Sequence, residues 1–340
     1  MKSAEYWQRR AEASAKMQHV KADIYAEQLS KEYDKAIASI NRDIEAFYGR
    51  FAVNNQISFM DAQKTLDKGE LKEFRMTLEE FTALAKDNAD GRWTKTLNNV
   101  YYKTRVSRLE ALLIQIRQQA EMLAGSEHSG TTELLADTYK EGYYRTLFEI
   151  QKGTGLGTTF AKIDDKALNQ VLNAEWAGSN YSKRIWGDRD KLVREIQTNL
   201  TQAFIRGDSI DQVTNTIRDR FKVSKSNAVR LVRTESAFIA GEATYAGYKE
   251  SGVVKQYQFL ATLDMKTSSI CRDMDNKVFN LSDKEVGINW PPLHSHCRST
   301  TVPYFGDDDP GERIAKDKDG SYYYVPDTMS YLDWYKGYVE

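Results

Sequence analysis

The sequence predicts a predominantly α-helical α+β protein: an elongated helical body with a long N-terminal helix, a small sheet-bearing module and an extended aromatic and acidic arm. The abundance of Ala, Glu, Lys, Leu and Gln favours helix. Five prolines and twenty glycines in 340 residues are few, which disfavours a turn-rich β-sandwich. After Gly252 the sequence becomes rich in β-branched and aromatic residues, which indicates a change from helix to strand.

The first long helix is indicated by a segment between Ser3 and Gly49 that contains neither proline nor glycine. Apolar residues recur there at steps of three and four, as at Tyr33, Ile37 and Ile40. Such a helix would extend roughly 65 Å at 1.5 Å per residue. We therefore expect part of it to project or to pack along a partner; a long helix inside a single bundle is the alternative.

Capping and breaking residues predict further helices up to the middle of the chain. Ser58 with Asp61 resembles an N-cap with an acidic first turn, and Thr77 with Glu80 has the spacing of a capping box. Gly125 and Gly153 follow two later amphipathic segments and are expected to end their helices. The predicted helices of this antiparallel body lie near 59–67, 77–87, 98–124 and 131–152.

The glycine run Gly153-Thr-Gly-Leu-Gly157 resembles a nucleotide-binding loop in composition only, since no predicted strand precedes it and no Lys-Ser/Thr follows. We interpret it as a hinge between two helical regions. Further helices are predicted near 164–174, 187–206, 209–220 and 224–250, with breaks at Gly207-Asp208 and Phe221-Lys222.

Strand candidates follow at 253–263, 277–281 and 299–305. Residues 306–340 begin with an acidic run and then contain clustered Tyr and Trp, so we expect an extended arm whose aromatic side chains anchor on a partner. These patterns divide the chain into a helical body at 1–152, a hinge at 153–186, a module of helices and strands at 187–305 and an arm at 306–340.

The composition indicates a soluble globular protein, because 41% hydrophobic and 29% charged residues fit neither a disordered polymer nor a polytopic membrane protein. We expect no signal peptide and no membrane partner, since the most apolar helical stretch, 109–116, is eight residues long. Two cysteines exclude a disulfide framework and suit a reducing compartment.

The net charge of −1 hides an uneven distribution. Residues 183–233 carry twelve Lys and Arg against six Asp and Glu, whereas 301–340 carry nine acidic and four basic residues. The basic segment predicts weak, sequence-independent contact with the phosphates of duplex DNA; a solvated basic face is the alternative. The candidate DNA-binding residues are Lys183, Arg184, Arg189, Lys191, Arg194, Arg206, Arg218, Arg220, Lys222, Lys225 and Arg230.

Both cysteines and two of the four histidines lie in the C-terminal module. His294 and Cys297 have the i, i+3 spacing of a metal chelate, and Cys271, 26 positions earlier, could complete a structural Zn²⁺ site with His296 or an aspartate. A CxxC pair is missing, because the run that starts at Cys271 ends in Met274. The alternatives are a disulfide, reduced cysteines in a polar corner and a catalytic Cys-His pair.

A metal-dependent nuclease is a second enzymatic hypothesis for the same module. It would use His294 or His296 as general base and would bind Mg²⁺ through Asp264, Asp273 and Asp275.

Arg233 and Glu235 lie two positions apart in a predicted helix, so they point to different faces and cannot pair with each other. Each either reaches a tertiary partner or stays a solvated surface charge.

Five motifs lie between residues 230 and 298. In chain order they are Arg230-Leu-Val-Arg-Thr-Glu-Ser236, Phe259-Leu-Ala-Thr-Leu-Asp264, Thr267 through Cys271, Asp275-Asn-Lys-Val-Phe279 and Pro291-Pro-Leu-His-Ser-His-Cys-Arg298. Together they resemble the C-terminal signature of the phage Mu F-like minor head proteins, the head morphogenesis family of tailed bacteriophages. The order and spacing of the motifs are more specific than any one of them, and the preceding helical region is similar in texture only.

The resemblance implies a non-enzymatic minor capsid protein, made in the host cytoplasm, taken into the procapsid beside the portal and located inside the head of the virion. The implied partners are the portal protein and packaged double-stranded DNA, and further the scaffolding or major capsid protein; some relatives are thought to leave with the genome. The alternatives are a nuclease, a thiol or metal enzyme built on the Cys/His module, and an effector delivered to the host with the DNA.

The motif positions of the family are occupied here by Arg233, Glu235, Asp264, Cys271, His294, Cys297 and Arg298. His296 has no counterpart of fixed identity, and Met274 stands where many relatives have a second cysteine, which weakens a zinc assignment. Some family members carry a toxin or transferase domain after this module; residues 306–340 are too few for one, so we expect none here.

Overall fold

A computed structural model describes residues 2–84, 105–157, 159–306, 312–316, 321–326 and 329–338. It is predominantly helical with small sheets near the C-terminus, so the predicted fold class is confirmed. The first helix, α1 (Ala4–Phe51), has the predicted extent. Buried residues occur along it from Trp7 through Leu29 and Ile40 to Tyr48. The helix therefore packs within the chain along its length, and the expectation that part of it projects is wrong.

The two short helices that follow are α2 (Phe59–Ala62) and α3 (Lys68–Leu84). Ser58 caps α2 as predicted, since its side chain accepts a hydrogen bond from the backbone of Asp61. α3 starts at Lys68 rather than at 77 because the capping box lies at Asp67 and Glu70. The Asp67 carboxylate accepts from the Glu70 backbone at 2.9 Å, and the Glu70 carboxylate accepts from the Asp67 backbone at 2.8 Å.

The two helices predicted near 98–124 and 131–152 form one continuous helix, α4 (Arg108–Thr154), in the described part of the chain; residues 98–104 lie outside it. The predicted break at Gly125 is wrong. A glycine inside a helix costs only about 1 kcal/mol. Buried side chains such as Leu123 and Leu135 on either side of it outweigh that cost.

The next helices are α5 (Asp165–Leu172), α6 (Tyr181–Arg206) and α7 (Ile210–Ser251). The break at Gly207-Asp208 is confirmed, because Gly207 has φ +73° and terminates α6. The break predicted at Phe221-Lys222 is wrong, since α7 is continuous there. The Phe221 side chain is fully buried, which gives this turn of the helix a packing role.

The three predicted strands are confirmed as β1 (Gln256–Leu260), β2 (Val278–Asn280) and β3 (Thr300–Tyr304), with the short helix α8 (Ser269–Met274) between the first two. The sheet is antiparallel in the order β2-β1-β3, and Tyr257 lies opposite both Phe279 and Pro303. Phe259 near the end of β1 and Ala261 just after it belong to one buried cluster with both cysteines of the module. The central strand therefore forms part of the environment of the Cys/His residues.

The extended arm predicted for 306–340 is wrong in its described part, which forms a hairpin of β4 (Glu312–Lys316) and β5 (Tyr322–Pro326) followed by helix α9 (Tyr331–Tyr338). Tyr331 and Trp334 are fully buried in a cluster with Leu263. The Tyr331 hydroxyl donates to the backbone of Asp264 at 3.1 Å. The aromatic residues of the C-terminal segment thus complete a hydrophobic cluster with Leu263, a residue of the preceding module.

The chain forms two compact units, each assembled from segments that are distant in sequence. The first unit comprises Met1–Ala26, Thr131–Tyr181 and Arg230–Glu340, and the second comprises Glu27–Gly130 and Ser182–Val229. The domain boundaries predicted from the sequence stay predictions. Among the described residues, no helix combines the length and hydrophobicity needed to cross a membrane.

Candidate functional site

The candidate site is the Cys/His cluster, defined here as Cys271, His294 and Cys297, and it lies in the first unit. Ser268 begins α8 as its N-cap, because its hydroxyl accepts a hydrogen bond from the backbone of Cys271 at 3.3 Å. In the loop before β3, the backbone of Cys297 donates to the carbonyl of His294 at 3.2 Å. This turn, together with the start of α8, brings the three side chains together.

The ligand atoms of the cluster all lie within 4.8 Å of one another. The Sγ atom of Cys271 is 3.6 Å from Sγ of Cys297 and 3.3 Å from Nε2 of His294. Two sulfur atoms bound to one tetrahedral Zn²⁺ at 2.3 Å would be about 3.8 Å apart. The spacing predicted from the sequence is therefore realised in space.

Both thiols are buried, with exposed fractions of 1% for Cys271 and 2% for Cys297. A hydrogen bond from Cys271 lowers the pKa of Cys297 to about 6, against the effect of burial, and hydrogen bonding to Cys297 together with burial raises the pKa of Cys271. The shift in the pKa of each thiol is therefore set mainly by the other thiol. Catalytic thiols are usually partly exposed, so this burial does not favour the thiol-enzyme alternative.

The other predicted metal ligands lie elsewhere. His296 does not join the cluster; its backbone has φ +59° and donates to the Thr234 hydroxyl at 3.2 Å. The Asp275 carboxylate accepts hydrogen bonds from the backbones of Ala261, at 2.9 Å, and Tyr331, at 3.1 Å. Within the described ranges, the group of His, Cys, Asp and Glu able to hold a metal is the Cys/His cluster, not the carboxylates of the nuclease hypothesis.

Asp264 and Arg298, both at family motif positions, form a two-point ion pair. Nη2 of Arg298 donates to Oδ1 of Asp264 at 2.7 Å, and Nη1 donates to Oδ2. Burial alone would raise the pKa of Asp264, but the hydrogen bonds and charge of Arg298 outweigh it and lower the pKa. The pair holds the turn after β1 against the loop before β3.

Arg233 and Glu235 do not pair with each other, as predicted, and each has a tertiary partner. Nε of Arg233 lies 2.7 Å from Oδ1 of Asp23. Glu235 is buried and accepts a hydrogen bond at 2.9 Å from the indole of Trp176, whose ring stacks on Phe238. Glu235 therefore ties α7 to Trp176, whereas the Arg233 pair is solvent-exposed and contributes little to stability.

The candidate DNA-binding residues are divided by their surroundings. Arg189 is largely buried and pairs with Glu121, and Lys225 lies 2.8 Å from Asp34. Further ion pairs engage Arg206 with Asp208, Arg218 and Lys222 with Asp219, and Arg220 with Glu195. Lys183, Lys191 and Arg194 are exposed and share one face of α6. Arg184 lies beside that face, and Arg230 is exposed on α7 in the first unit.

Sequence reasoning missed one contact at the Cys/His cluster and one at a motif residue outside it. Ser268 lies 2.7 Å from Nε2 of His294, and its position three residues before Cys271 is the N-cap spacing that could have identified it. Trp176 carried no local signal, because its partner Glu235 is 59 positions away.

Comparison with known proteins agrees with the resemblance. Residues 194–302 match the sequence model of a family described as Phage Mu protein F like protein. The chain is 23% identical over 294 residues to a minor head protein of Bacillus phage SPP1, covering 81% of this chain and 92% of that protein. It is also 24% identical over 259 residues to an NAD(+)-arginine ADP-ribosyltransferase of Enterococcus faecalis, covering 72% of this chain.

The chain spans only 52% of the length of the Enterococcus protein, about half. No solved structure matches the chain. The similarity to phage Mu F-like minor head proteins, predicted from the five motifs, is confirmed by the family match and by the phage relative.

Proposed function

We propose that this chain, with its Mu F-like region at residues 194–302, is a minor head protein that acts inside the head of a tailed bacteriophage, next to the portal. One observation carries the proposal: the similarity to the SPP1 minor head protein extends over 92% of that protein, far beyond the motif region. The chain is made in the host cytoplasm, enters the procapsid in few copies and leaves with the genome.

The contacts of the motif residues support a structural role. Asp264 with Arg298 and Glu235 with Trp176 join elements of the first unit. In each pair, the polar group is directed at another part of the chain. A buried carboxylate that satisfies an indole or a guanidinium stabilises the fold, whereas a general base has to reach a substrate.

Assembly with the portal is tested in phage particles. Heads purified from cells that express a tagged chain are expected to contain it at low copy, and the portal protein is expected to co-purify with the tag from lysates of procapsids. An unrelated protein that carries the same tag and is expressed at the same level serves as the control for non-specific capture. Heads that lack the chain, or a chain that reaches heads assembled without a portal, would contradict the proposal.

Contact with DNA is the second part of the proposal, and the exposed face of α6 supports it. Lys183, Lys191 and Arg194 are separated by eight and three positions, which at about 100° per residue places them within one stripe. Three phosphate contacts predict a fall of log affinity against log salt with a slope of about −3, and a dissociation constant of roughly 10⁻⁶ to 10⁻⁴ M at physiological salt.

Reversal of these charges tests the surface. The triple variant Lys183→Glu, Lys191→Glu and Arg194→Glu is expected to lose binding to a labelled duplex in fluorescence anisotropy. A matched variant, Lys35→Glu with Lys68→Glu and Lys72→Glu, reverses three exposed charges of the same unit outside the basic segment and is expected to bind as the unaltered chain does. Equal binding by both variants would remove this face from the mechanism.

The Enterococcus relative defines the control for enzymatic activity, because its name assigns it NAD(+)-dependent transfer to arginine. The purified chain is incubated with labelled NAD(+) and arginine-containing protein, and separately with duplex DNA and Mg²⁺. We expect no turnover in either assay. Catalytic transfer of label, or cleavage of the duplex, would replace the structural proposal with an enzymatic one.

A further inference from the structure

We propose that the Cys/His cluster binds one Zn²⁺ ion through Sγ of Cys271, Nε2 of His294 and Sγ of Cys297, and that the ion ties the first turn of α8 to the loop before β3. This inference concerns the fold of the C-terminal module and does not depend on the proposed function.

The donor set and its spacing are those of zinc rather than of Mg²⁺ or Ca²⁺. Two sulfurs and one imidazole nitrogen are the ligands of zinc sites, whereas Mg²⁺ and Ca²⁺ require oxygen. The separations of 3.6 Å between the sulfurs and 3.3 Å between sulfur and Nε2 suit ligands of a common tetrahedral centre.

The imidazole of His294 is held in the orientation that a metal needs. Its Nδ1 atom lies 2.7 Å from the carbonyl oxygen of Ser295, an acceptor only, so Nδ1 carries the proton. Nε2 is then the unprotonated nitrogen, and it lies 3.3 Å from Sγ of Cys271. A backbone carbonyl that fixes the tautomer in this way is the usual partner of a zinc-bound histidine.

A serine hydroxyl lies beside the three ligand atoms. The hydroxyl of Ser268 is 2.7 Å from Nε2 of His294, and it also accepts the capping hydrogen bond from the backbone of Cys271. With Nδ1 protonated, this hydroxyl donates to Nε2, so zinc binding at Nε2 replaces that hydrogen bond. Zinc binds cysteine as thiolate, so its binding releases the thiol protons to solvent.

The ion would cross-link two parts of a module whose secondary-structure elements are short. The sheet has strands of three to five residues, and α8 has six. Cys271 and Cys297 are 26 positions apart and lie on opposite sides of β2 in sequence. Closure of such a loop by a bound metal restricts the unfolded chain and stabilises the folded module.

The experiment uses the full chain, purified with a thiol reductant and without chelator. Elemental analysis is expected to give about one zinc per chain, and removal of zinc is expected to lower the thermal midpoint by several degrees. Replacement by Co²⁺ is expected to produce the visible ligand-field bands of a tetrahedral site and the near-ultraviolet charge-transfer band of thiolate ligands.

The matched variants are His294→Asn and His296→Asn, which remove neighbouring imidazoles; asparagine tolerates the positive φ at His296. His294→Asn is expected to lose zinc, and His296→Asn to retain it. If His294→Asn does not fold, cobalt titration of the unaltered chain still decides the question. A chain that folds without zinc and gives no thiolate–cobalt band, or whose cysteines form a disulfide under reducing purification, overturns the proposal.

Discussion

The guanidinium of Arg298 and the carboxylate of Asp264 form a two-point ion pair that joins the turn after β1 to the loop before β3. The Asp264 side chain is 11% exposed and that of Arg298 is 34% exposed, so solvent screens the pair only in part. Two residues at motif positions of the family thus stabilise the module that carries the Cys/His cluster.

Removal of one partner of this pair is expected to destabilise the first unit. For Arg298→Ala we expect a loss of about 1–3 kcal/mol in the free energy of unfolding, because Asp264 is left with an uncompensated, largely buried charge. Urea denaturation measures the change. Arg220→Ala, which removes a more exposed partner of Glu195 at 3.7 Å, is the control and is expected to cost less than about 1 kcal/mol. Equal losses of stability in the two variants would show that the Arg298 pair stabilises the fold no more than an exposed ion pair does.

The same pair predicts a dependence of stability on pH in the acid range. The pKa of Asp264 is lowered from the ordinary 3.8 in the folded chain, so its contribution is fully present above that value. It is lost as the pH falls through the lowered pKa of the folded state. Asp264→Asn is expected to flatten this acid limb of the unfolding free energy, and a limb of unchanged slope would contradict the assignment.

A buried carboxyl in the second unit gives a dependence of opposite sign. Burial raises the pKa of Glu127 to about 7; the hydrogen bond from Tyr33 opposes this, and the charge of Asp188 adds to it. The folded chain therefore keeps the proton up to about pH 7, whereas the unfolded chain releases it near 4.5. Stability is expected to fall as the pH rises from about 4.5 to about 7, and to change no further above that.

Glu127→Gln removes this titration. The variant is expected to be more stable than the unaltered chain by about 1–3 kcal/mol at pH 8 and nearly equal to it at pH 5. Chemical denaturation at the two pH values measures the difference. Glu133→Gln, an exposed position on the same helix, is expected to leave the pH profile unchanged. A gain for Glu127→Gln that is equal at both pH values would refute the titration.

Two helical glycines are expected to respond in opposite ways to alanine. A Cβ atom at Gly241 would lie 2.9 Å from the backbone oxygen of Pro291 and 2.8 Å from the Trp290 indole nitrogen, so Gly241→Ala is expected to destabilise by about 1–3 kcal/mol. At Gly187 nothing lies within 4 Å, and Gly187→Ala is expected to stabilise by about 0.5–1 kcal/mol. Thermal unfolding of both variants measures the two changes in stability. A change of the same sign in both would contradict the close packing at Gly241.

The C-terminal helix is expected to behave as core rather than as an arm. Trp334 is fully buried, and Trp334→Ala is expected to cost about 3–5 kcal/mol and to make the C-terminal segment sensitive to limited proteolysis. Tyr338→Ala, at a residue that is 55% exposed on the same helix, is expected to cost less than about 1 kcal/mol. If Trp334→Ala left the protease pattern unchanged, the C-terminal segment would behave as the extended arm expected from the sequence.

Much of the local structure was predictable from the sequence because the signals were local. The absence of proline and glycine with a helical repeat predicted α1, and Ser58 predicted the start of α2. The three strands of the sheet were predicted from β-branched and aromatic composition. The motif spacing indicated that His294 and Cys297 lie close together, since they share one turn of chain, and Cys271 joins them in the Cys/His cluster.

Where local sequence signals were weak, tertiary packing determined whether a helix continued or ended. A glycine at 125 or a polar step after Phe221 changes the local free energy by about 1 kcal/mol, and burial of Phe221 or Leu135 contributes more than that. The aromatic residues after 320 looked like an arm because the surface they cover, around Leu263, comes from an earlier part of the chain.

The helical class of the protein, the small sheet and the individual family motifs are encoded locally in the sequence, because each depends on residues close together in the chain. Which charges stay exposed depends on the tertiary fold. Lys225 lies beside Asp34, 191 positions away, whereas Lys191 and Arg194 lie on an exposed helix face. The energy of an ion pair declines as the distance between the two charges in space increases. That distance cannot be read from their separation in the sequence.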